Sequence, residues 1–297
     1  MKGRVTVKNS DIFQIETENG VYNVASRGKH KNDGIFVGDE VLFDIEKLVI
    51  EKLIPRKNLL IRPNLANLSK LFIVIAFVPK PDFAIVDKLI LFSYVYDIEP
   101  ILVINKTDIT DQNFFNKVEN IYKNVLKIIY TSAEKNEGIQ KLHDEIKNNI
   151  CAFAGQSAVG KSALITKIYP QSQAIVGELS KKIQRGKNTT RTANLYKLEQ
   201  NTFIADTPGF SSLDILYLPI KYFELCYYYP DFLKWHENCK YKSCTHSNEP
   251  QKECGVKQAV ESGHIDKERY NRYVEMFEIL KTDFVKGANR INKKSFK

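Results

Sequence analysis

Short runs of alternating apolar and polar residues occupy the first 62 residues of the chain. Turn-forming pairs such as Asn19-Gly20 separate these runs, and the combination is typical of short antiparallel strands. The pattern predicts strands at Gly3–Val7, Phe13–Glu16, Val21–Ala25 and Glu40–Ile45. We therefore expect residues 1–62 to form a small β-barrel, in which Ser26–Lys31 is either a solvated basic loop or a contact for RNA.

From residue 63 the apolar residues form unbroken runs that alternate with helical patterns. Unbroken apolar runs are typical of strands buried on both faces of a parallel sheet, with helices between them. The runs are Leu71–Val78, Ile101–Ile104, Ile128–Tyr130, Ala152–Ala154 and Phe203–Ala205. We expect residues 63–220 to form an α/β domain.

After residue 220 the chain becomes rich in aromatic residues and then in cysteine. Between Ile265 and Leu280 the apolar residues recur at helical spacing, which predicts a helix. The last stretch, Lys281–Lys297, is basic and is expected to fray. Residues 221–297 are therefore predicted to form a mainly helical domain with a basic tail.

The composition, with 43% hydrophobic and 27% charged residues, is that of a soluble globular protein. The longest apolar run, Leu71–Val78, is far too short to span a bilayer. The start, MKGRVTVKNSD, has no apolar segment after its basic residues. We expect a cytoplasmic protein without membrane contact. The net charge of +9 favours encounters with polyanions such as nucleic acid but does not identify one.

A glycine-rich segment, Gly155–Ser162, fits the pattern G-x4-G-K-[ST] and lies between the strand Cys151–Ala154 and a helical pattern. In such a loop the backbone N–H groups surround phosphates, Lys161 neutralises β and γ oxygens, and Ser162 binds Mg²⁺. The alternative is a glycine-rich turn that fits the pattern by chance. The predicted contacts are Gly155, Gln156, Ser157, Ala158, Val159, Gly160, Lys161, Ser162 and Ala163.

The phosphate loop does not distinguish ATP from GTP, so the base must be recognised elsewhere. The segment Asn105–Asp108 follows the strand Ile101–Ile104 and would emerge at the carboxyl edge of the sheet, where α/β folds bind ligands. The carboxylate of Asp108 can accept hydrogen bonds from N1–H and the 2-amino group of guanine, a donor pair that adenine lacks. We predict guanine binding by Asn105, Lys106, Thr107 and Asp108.

A second polar loop, Thr131–Ala133, follows the next strand. Its position is similar to that of the loop that supports the guanine O6 through backbone N–H groups in small GTPases. We therefore add Ser132 and Ala133 to the predicted base site. The alternative is a solvated turn.

Two further segments fit the parts of a GTPase that contact the γ-phosphate. Asp206–Gly209 resembles the D-x-x-G switch, in which the aspartate holds Mg²⁺ through water and the glycine amide reaches the γ-phosphate. A first switch is expected within Gly186–Arg191, where Thr190 is the predicted Mg²⁺ ligand and Thr189 the alternative. The predicted catalytic group is Lys161, Thr190, Asp206 and Gly209.

Three of the five cysteines lie close together with a histidine. They form the spacing Cys239-x4-Cys244-x-His246-x7-Cys254, a closed set of three thiolates and one imidazole that suits a tetrahedral structural Zn²⁺. Unligated thiols in a core are the alternative, although the segment is polar. His236 is the nearest competing ligand and is expected to be a surface residue instead.

The nucleotide motifs run in a rotated order, with base recognition before phosphate binding. In ordinary small GTPases the phosphate loop comes first and the N-K-x-D segment lies near the end. Joining the old termini and cutting after the second switch produces the order found here. Circular permutation of this kind is tolerated when the termini are close together.

With these motifs, the chain resembles the RsgA (YjeQ) family of circularly permuted GTPases. The resemblance extends over nearly the whole chain, from Arg27-Gly28-Lys29 and Arg62–Asn67 through the motif series to Cys239–Tyr273. It implies an N-terminal OB-fold, a central α/β circularly permuted P-loop GTPase domain and a C-terminal zinc-binding domain, all docking on rRNA. The cysteine and histidine cluster matches the zinc ligands of the family. The resemblance also implies GTP hydrolysis during maturation of the small ribosomal subunit.

One position departs from the family pattern. Many members carry a histidine between the glycine and the threonine pair of the first switch, whereas this chain has Asn188. Phe210 stands where Ras-like enzymes carry a water-orienting glutamine. Asn188 can hydrogen-bond a water molecule but cannot accept its proton near neutral pH. We expect slow intrinsic hydrolysis that the small subunit accelerates, with Asn188 as an uncertain member of the catalytic group.

The leading interpretation is a monomeric GTPase that binds GTP and GDP with Mg²⁺, contains one structural zinc ion and assists small-subunit maturation. A nucleotide-gated rRNA-binding module, in which hydrolysis serves only release, is the alternative. A metabolic P-loop kinase is disfavoured because Asn105–Asp108 would then have no purpose.

Overall fold

The computed structural model describes residues 1–26, 34–61, 64–170, 193–206 and 214–294. The first five strands close into a barrel in the order β1-β2-β3-β5-β4, with β1 pairing antiparallel to both β2 and β4. They are β1 Lys2–Asn9, β2 Ile12–Thr17, β3 Gly20–Ser26, β4 Glu40–Asp44 and β5 Val49–Leu53. This confirms the predicted OB-type barrel. The strand β5 lies outside the predicted set because Glu51 and Lys52 interrupt its apolar alternation.

Alternate residues of each strand fill the barrel interior, as the pleat of a strand requires. Phe13 and Ile15 on β2 are almost completely buried, whereas Ile12 at the start of the same strand is exposed. Space beside β2 is so restricted that a Cβ added at Gly3 would lie 2.4 Å from Ile15 Cγ2. A two-stranded hairpin follows the barrel, formed by β6 (Leu59–Ile61) and β7 (Asn64–Ala66).

The central part of the chain forms a six-stranded sheet in the order β10-β9-β8-β11-β13-β12. The neighbours β9, β8, β11 and β13 pair in parallel, and β12 is antiparallel to β13. The strands are β8 Lys70–Ala76, β9 Glu99–Asn105, β10 Lys127–Tyr130, β11 Ile150–Ala154, β12 Asn194–Glu199 and β13 Thr202–Asp206. The predicted α/β domain is confirmed. The edge strand β12 lies outside the predicted runs because polar residues interrupt it.

Four helices of the described residues belong to the connections of this sheet. They are α1 Phe83–Val95, α2 Gln112–Tyr122, α3 Ile139–Ile146 and α4 Lys161–Ile168. The helix α2 begins after Asp111, whose side chain accepts a hydrogen bond from the backbone N–H of Phe114. The helix α4 begins directly after the phosphate-loop glycine Gly160.

The barrel and the sheet meet at the edge strand β12. Lys197 on β12 donates from Nζ to Glu16 Oε1 on β2 at 2.6 Å. The guanidinium of Arg4 on β1 lies 5.7 Å from the ring centroid of Phe203 on β13. The β12–β13 hairpin connects the two predicted switch segments, so the barrel contacts the strands that carry them.

The C-terminal region is mainly helical, as predicted. It contains short 3-10 helices at Ile215–Tyr217, Tyr222–Tyr228 and Gln251–Glu253, and the helices α5 Pro230–His236, α6 Gly255–Glu261 and α7 Lys267–Lys294. The expected fraying from Lys281 is wrong, since α7 continues to Lys294. Past Lys281 the helix is supported by Phe284, one heptad after Phe277, which packs on Tyr222 and Phe223 with ring centroids 5.5 and 6.4 Å apart.

The chain divides into two compact units, each of which is built from three separate segments of the chain. One comprises Met1–Pro81, Tyr96–Ile109 and Ile129–Ser212, and the other comprises Asp82–Val95, Thr110–Ile128 and Leu213–Lys297. The helices α1 and α2 thus belong with the C-terminal region. The division at residues 62 and 220 stays a prediction. Across the described ranges, none of the helices combines the length and apolar character that a bilayer crossing needs.

Candidate functional site

The phosphate loop lies between β11 and α4 and depends on two glycines in the left-handed region. Gly155 has a φ of 133°, and a Cβ there would lie 2.2 Å from the carbonyl oxygen of Val74. Gly160 has a φ of 95°, and a Cβ there would lie 2.3 Å from Asn105 Nδ2. Both positions therefore require glycine. The loop backbone is held close to the strand β8 and to the base motif.

Lys161 is held over this loop. Its Nζ donates to the carbonyl oxygens of Gly155 and Gln156 at 2.8 and 2.7 Å. Burial lowers the pKa of this ammonium below its ordinary value. A phosphate group in the loop would give the partly buried cation a charged partner.

Asn105 connects the base motif to the phosphate loop. It is the last residue of β9, is buried, and donates from Nδ2 to the carbonyl oxygen of Val159 at 2.9 Å. Its Oδ1 accepts hydrogen bonds from Thr131 Oγ1 at 3.2 Å and from the N–H of Ala133 at 3.3 Å. One amide therefore fixes three loops that the sequence presents as separate motifs.

Asp108 is paired with Ser132 of the second loop. The hydroxyl of Ser132 donates to Asp108 Oδ1 at 2.5 Å and accepts the backbone N–H of Lys135 at 3.0 Å. The hydrogen bond from Ser132 is the main cause of a lowered pKa at Asp108, with Lys135 and Lys106 adding a smaller electrostatic effect. The carboxylate is therefore ionised at neutral pH and can accept further hydrogen bonds.

The remaining base-motif residues lie at the same edge of the sheet. Lys106 has a φ of 63° and donates from Nζ to the carbonyl oxygen of Val78 at 3.0 Å. Thr107 begins a 3-10 helix that ends at Ile109, and its N–H donates to the carbonyl oxygen of Thr131 at 3.2 Å. These bonds hold the segment after β9 against the segments that follow β8 and β10.

The second switch follows the strand next to the phosphate loop. The strand β13 ends at Asp206 and runs parallel to β11, so both strands end at the same edge of the sheet. The predicted residues Asn188, Thr189, Thr190, Thr207, Pro208, Gly209 and Phe210 lie outside the described residues. The described part of the site contains the base motif, its supporting loop and the phosphate loop.

A candidate metal centre lies in the C-terminal region, where the ligand atoms of Cys239, Cys244, His246 and Cys254 all lie within 4.8 Å of one another. The three Sγ atoms are 3.6, 3.4 and 3.4 Å from His246 Nδ1. Zn–S and Zn–N bonds of about 2.3 and 2.0 Å at a tetrahedral angle give an S–N distance of about 3.5 Å. The cluster therefore fits a tetrahedral zinc ion.

Backbone N–H groups can stabilise two of the thiolates, and burial keeps the histidine ligand neutral. At the start of α6, the backbone N–H groups of Gly255 and Lys257 donate to the sulfurs of Cys239 and Cys254 at 3.2 and 3.5 Å. Burial lowers the pKa of His246 to about 4. The imidazole is therefore neutral at physiological pH, as a metal ligand must be.

The loop that carries His246 is tied to the long helix α7. Tyr270 and Tyr273 donate from their hydroxyls to the carbonyl oxygens of His246 and Thr245 at 2.7 and 2.5 Å. Glu249 accepts the N–H of Thr245 at 2.7 Å from within the loop. The loop is thus held by two tyrosines of α7, of which Tyr273 is buried and Tyr270 is half-buried.

His236 lies outside the ligand cluster, as expected, but it is half-buried and contacts a ligand rather than lying free on the surface. Its Nδ1 is 3.0 Å from His246 Nε2, and its Nε2 is 3.1 Å from the carbonyl oxygen of Lys242. The helix α5 ends at His236 and places the ring against the metal ligand. Sequence spacing carries no signal for this contact, because a hydrogen bond between two ring nitrogens depends on how α5 packs against the loop that carries His246.

Relatives of the chain match it over nearly its full length. The family model described as RsgA GTPase matches residues 53–216, which is more than half of the chain. A Small ribosomal subunit biogenesis GTPase RsgA from Caldanaerobacter subterraneus subsp. tengcongensis is 36% identical over 290 residues, covering 95% of this chain and 96% of its own. One of the same name from Carboxydothermus hydrogenoformans is 37% identical and covers 95% of this chain and 99% of its own.

Two solved structures have a similar fold. The crystal structure of YjeQ from Thermotoga maritima has a TM-score of 0.78 and 35% identity, covering 94% of this chain and 98% of its own. The structure of YloQ, described as a circularly permuted GTPase, has a TM-score of 0.75 and 28% identity, covering 95% of each chain.

Proposed function

The chain belongs to the RsgA GTPase family, and we propose that it binds the small ribosomal subunit and assists its late maturation, hydrolysing GTP to GDP and phosphate. The observation that carries the proposal is the position of Asn105, whose amide joins the base motif to the phosphate loop. A site that joins both loops suits a guanine nucleotide and its phosphates. The names of the relatives support the small subunit as the partner.

We assign the nucleotide contacts as the sequence predicts them. Asp108 recognises guanine, Lys161 neutralises the β and γ phosphates, and Ser162 and Thr190 hold Mg²⁺, which balances the charge of the phosphates when it is bound. Asp206, Gly209 and Asn188 complete the proposed catalytic group. Because Asn188 cannot accept a proton near neutral pH, we propose that it positions the attacking water and that hydrolysis is slow without the small subunit.

The remaining assignments concern metal and partners. We propose that Cys239, Cys244, His246 and Cys254 hold one structural zinc ion, a role that the distances from His246 Nδ1 support. We also propose a cytoplasmic monomer that contacts rRNA through its barrel and its C-terminal region. The net charge of +9 favours such contacts.

Co-sedimentation with isolated ribosomal subunits tests this function. The protein is mixed with small or large subunits in the presence of GDP, GTP or a non-hydrolysable GTP analogue. We expect binding to the small subunit that is stronger with the analogue than with GDP, and faster GTP hydrolysis when small subunits are added. Binding to neither subunit, or equal binding to both, would contradict the proposal.

A second candidate is a nucleotide-gated rRNA-binding module in which hydrolysis serves only release. The observation that favours it is the pair Asn188 and Phe210, neither of which can act as a general base. Single-turnover GTP hydrolysis with Asn188→His and Asn188→Ala tests whether Asn188 takes part in hydrolysis, and unchanged rates in both variants would remove it from the mechanism. Equal maturation yield per molecule with GTP and with the analogue would favour the binding module.

A further inference from the structure

We propose that His236 is a positioning residue for the metal centre. His236 accepts a hydrogen bond from His246 Nε2 and thereby directs the lone pair of His246 Nδ1 toward the three sulfurs. The inference rests on the proposed zinc site and concerns a residue outside the ligand set. The two rings meet edge to face, with centroids 5.0 Å apart and planes at 89°. The nitrogens that face each other are 3.0 Å apart.

The direction of this hydrogen bond follows from the carbonyl at its far end. The backbone oxygen of Lys242 can only accept, so the hydrogen between it and His236 belongs to His236 Nε2. A neutral imidazole with its hydrogen on Nε2 has a lone pair on Nδ1. His236 Nδ1 is therefore the acceptor, and the hydrogen of the inner bond belongs to His246 Nε2.

This arrangement leaves His246 Nδ1 without a hydrogen. That nitrogen lies 3.4 to 3.6 Å from the three Sγ atoms, where a metal ion requires a lone pair. The opposite direction of the inner bond would place the hydrogen on Nδ1, facing the sulfurs. Only one tautomer pair therefore satisfies both the carbonyl and a metal ion.

The same contact excludes His236 as an alternative ligand. Its Nδ1 faces the nitrogen of His246 that points away from the sulfurs, and its Nε2 is taken by Lys242. Lys242 lies between Cys239 and Cys244 in the chain. His236 therefore links the loop between two cysteine ligands to the histidine ligand, and so orders three of the four ligands.

Two substitutions separate a hydrogen-bonding role from simple packing. His236→Gln retains one donor and one acceptor at the end of the side chain, whereas His236→Phe retains a ring with neither. Loss of such an outer partner usually weakens metal binding by about 10- to 100-fold. We expect a loss of this size for His236→Phe, and a change of less than about threefold for His236→Gln.

The measurement is zinc release from the full-length, zinc-loaded protein to a chromophoric chelator, together with the zinc dissociation constant from competition. The matched control is His264→Phe, because His264 lies on Trp235 with ring centroids 5.0 Å apart and bonds Ser262 rather than a ligand. We expect zinc release from this control to equal that of the wild type. A His236→Phe protein with wild-type zinc affinity would overturn the inference.

Long-range ¹H–¹⁵N NMR of the wild-type protein tests the tautomer of His246 directly. This test does not depend on whether the variants fold. We expect a hydrogen on Nε2 and none on Nδ1 of His246 in the zinc-loaded state. Zinc on Nε2, or a hydrogen on Nδ1, would overturn the inference. A wild-type protein that binds no zinc would overturn it together with the metal centre, and would leave the GTPase assignment standing, since nucleotide binding is measured separately.

Discussion

Arg269 on α7 donates from Nη1 to Asp87 Oδ1 on α1 at 2.5 Å, between residues 182 positions apart. Both side chains are almost completely buried. Arg269 also forms two bonds to Asp231, at 2.9 and 3.0 Å, and Arg272 donates to Asp87 Oδ2 at 2.5 Å. Burial alone lowers the pKa of Arg269, but the charges of Asp231 and Asp87 more than offset this effect and raise it well above its usual value.

This network explains why α1 forms one compact unit with the C-terminal helices. The helix lies within residues 53–216, the part of the chain that matches the family model. Asp87 also accepts a hydrogen bond from Tyr122 of α2 at 3.0 Å. The carboxylate of Asp87 thus joins α1, α2 and α7.

Removal of the Asp87 charge is expected to destabilise the protein strongly. Asp87→Asn keeps the shape but leaves Arg269 and Arg272 with too little compensating charge, and breaking a buried pair in this way costs about 3–5 kcal/mol. Urea unfolding followed by fluorescence measures the loss. The control is Glu268→Gln, which removes the exposed pair with Lys117 at 3.4 Å and should change the free energy of unfolding by less than about 1 kcal/mol. If Asp87→Asn lowered the free energy of unfolding as little as Glu268→Gln does, the structural role of Asp87 would be contradicted.

Asp108→Asn is expected to exchange guanine for xanthine specificity. The amide donates a hydrogen bond where the carboxylate accepts one, and the 2-oxo group of xanthine is an acceptor where guanine carries an amino donor. We expect GDP affinity to fall by at least about 10³-fold, because a site built for a hydrogen bond rejects the wrong partner strongly. Affinity for XDP should rise correspondingly. Fluorescent nucleotide titration measures both, and unchanged GDP binding would remove Asp108 from base recognition.

Ser132→Ala is expected to shift the acid limit of GDP binding to higher pH. The Ser132 hydroxyl is the main cause of the lowered pKa of Asp108, so its loss raises that pKa. The ionised carboxylate binds guanine, so affinity is present above the pKa of Asp108 and is lost as the pH falls through it. The loss should therefore begin at a higher pH in the variant. The dissociation constant of GDP against pH checks this, with Ser262→Ala as the control outside the nucleotide site.

Ala158→Gly is expected to stabilise the phosphate loop. Ala158 has a φ of 63°, a conformation that costs an alanine about 1–2 kcal/mol, whereas glycine adopts it freely. Glycine also lowers the free energy of unfolding by about 0.5–1 kcal/mol, because it increases the conformational entropy of the unfolded chain. We expect the free energy of unfolding to rise by up to about 1 kcal/mol. Asn148→Gly, at a φ of 60°, is the control and should gain less, since asparagine tolerates this region. A clear loss of stability in Ala158→Gly would contradict the explanation.

Much of the fold and the chemistry of the site could be predicted from local patterns. The strands β1 to β4 and the buried strands of the sheet follow from the period of their apolar residues. The phosphate loop and the segment Asn105–Asp108 follow from residue types that their chemistry requires. The strands β5 and β12 could not be predicted, because charged or polar residues interrupt their patterns and pairing with neighbouring strands stabilises them instead.

The sequence by itself determined the chemistry of this protein: which residues can bind phosphate, guanine and zinc, and in which order they occur. Only the tertiary structure decided that Asn105 forms hydrogen bonds to both Val159 and Ala133, that the ring of His236 contacts that of His246, and that Arg269 pairs with Asp87. The physical reason is that residue type and spacing specify local backbone conformation and ligand chemistry, whereas hydrogen bonds between distant residues depend on how buried surfaces pack. No local pattern along the chain records that packing.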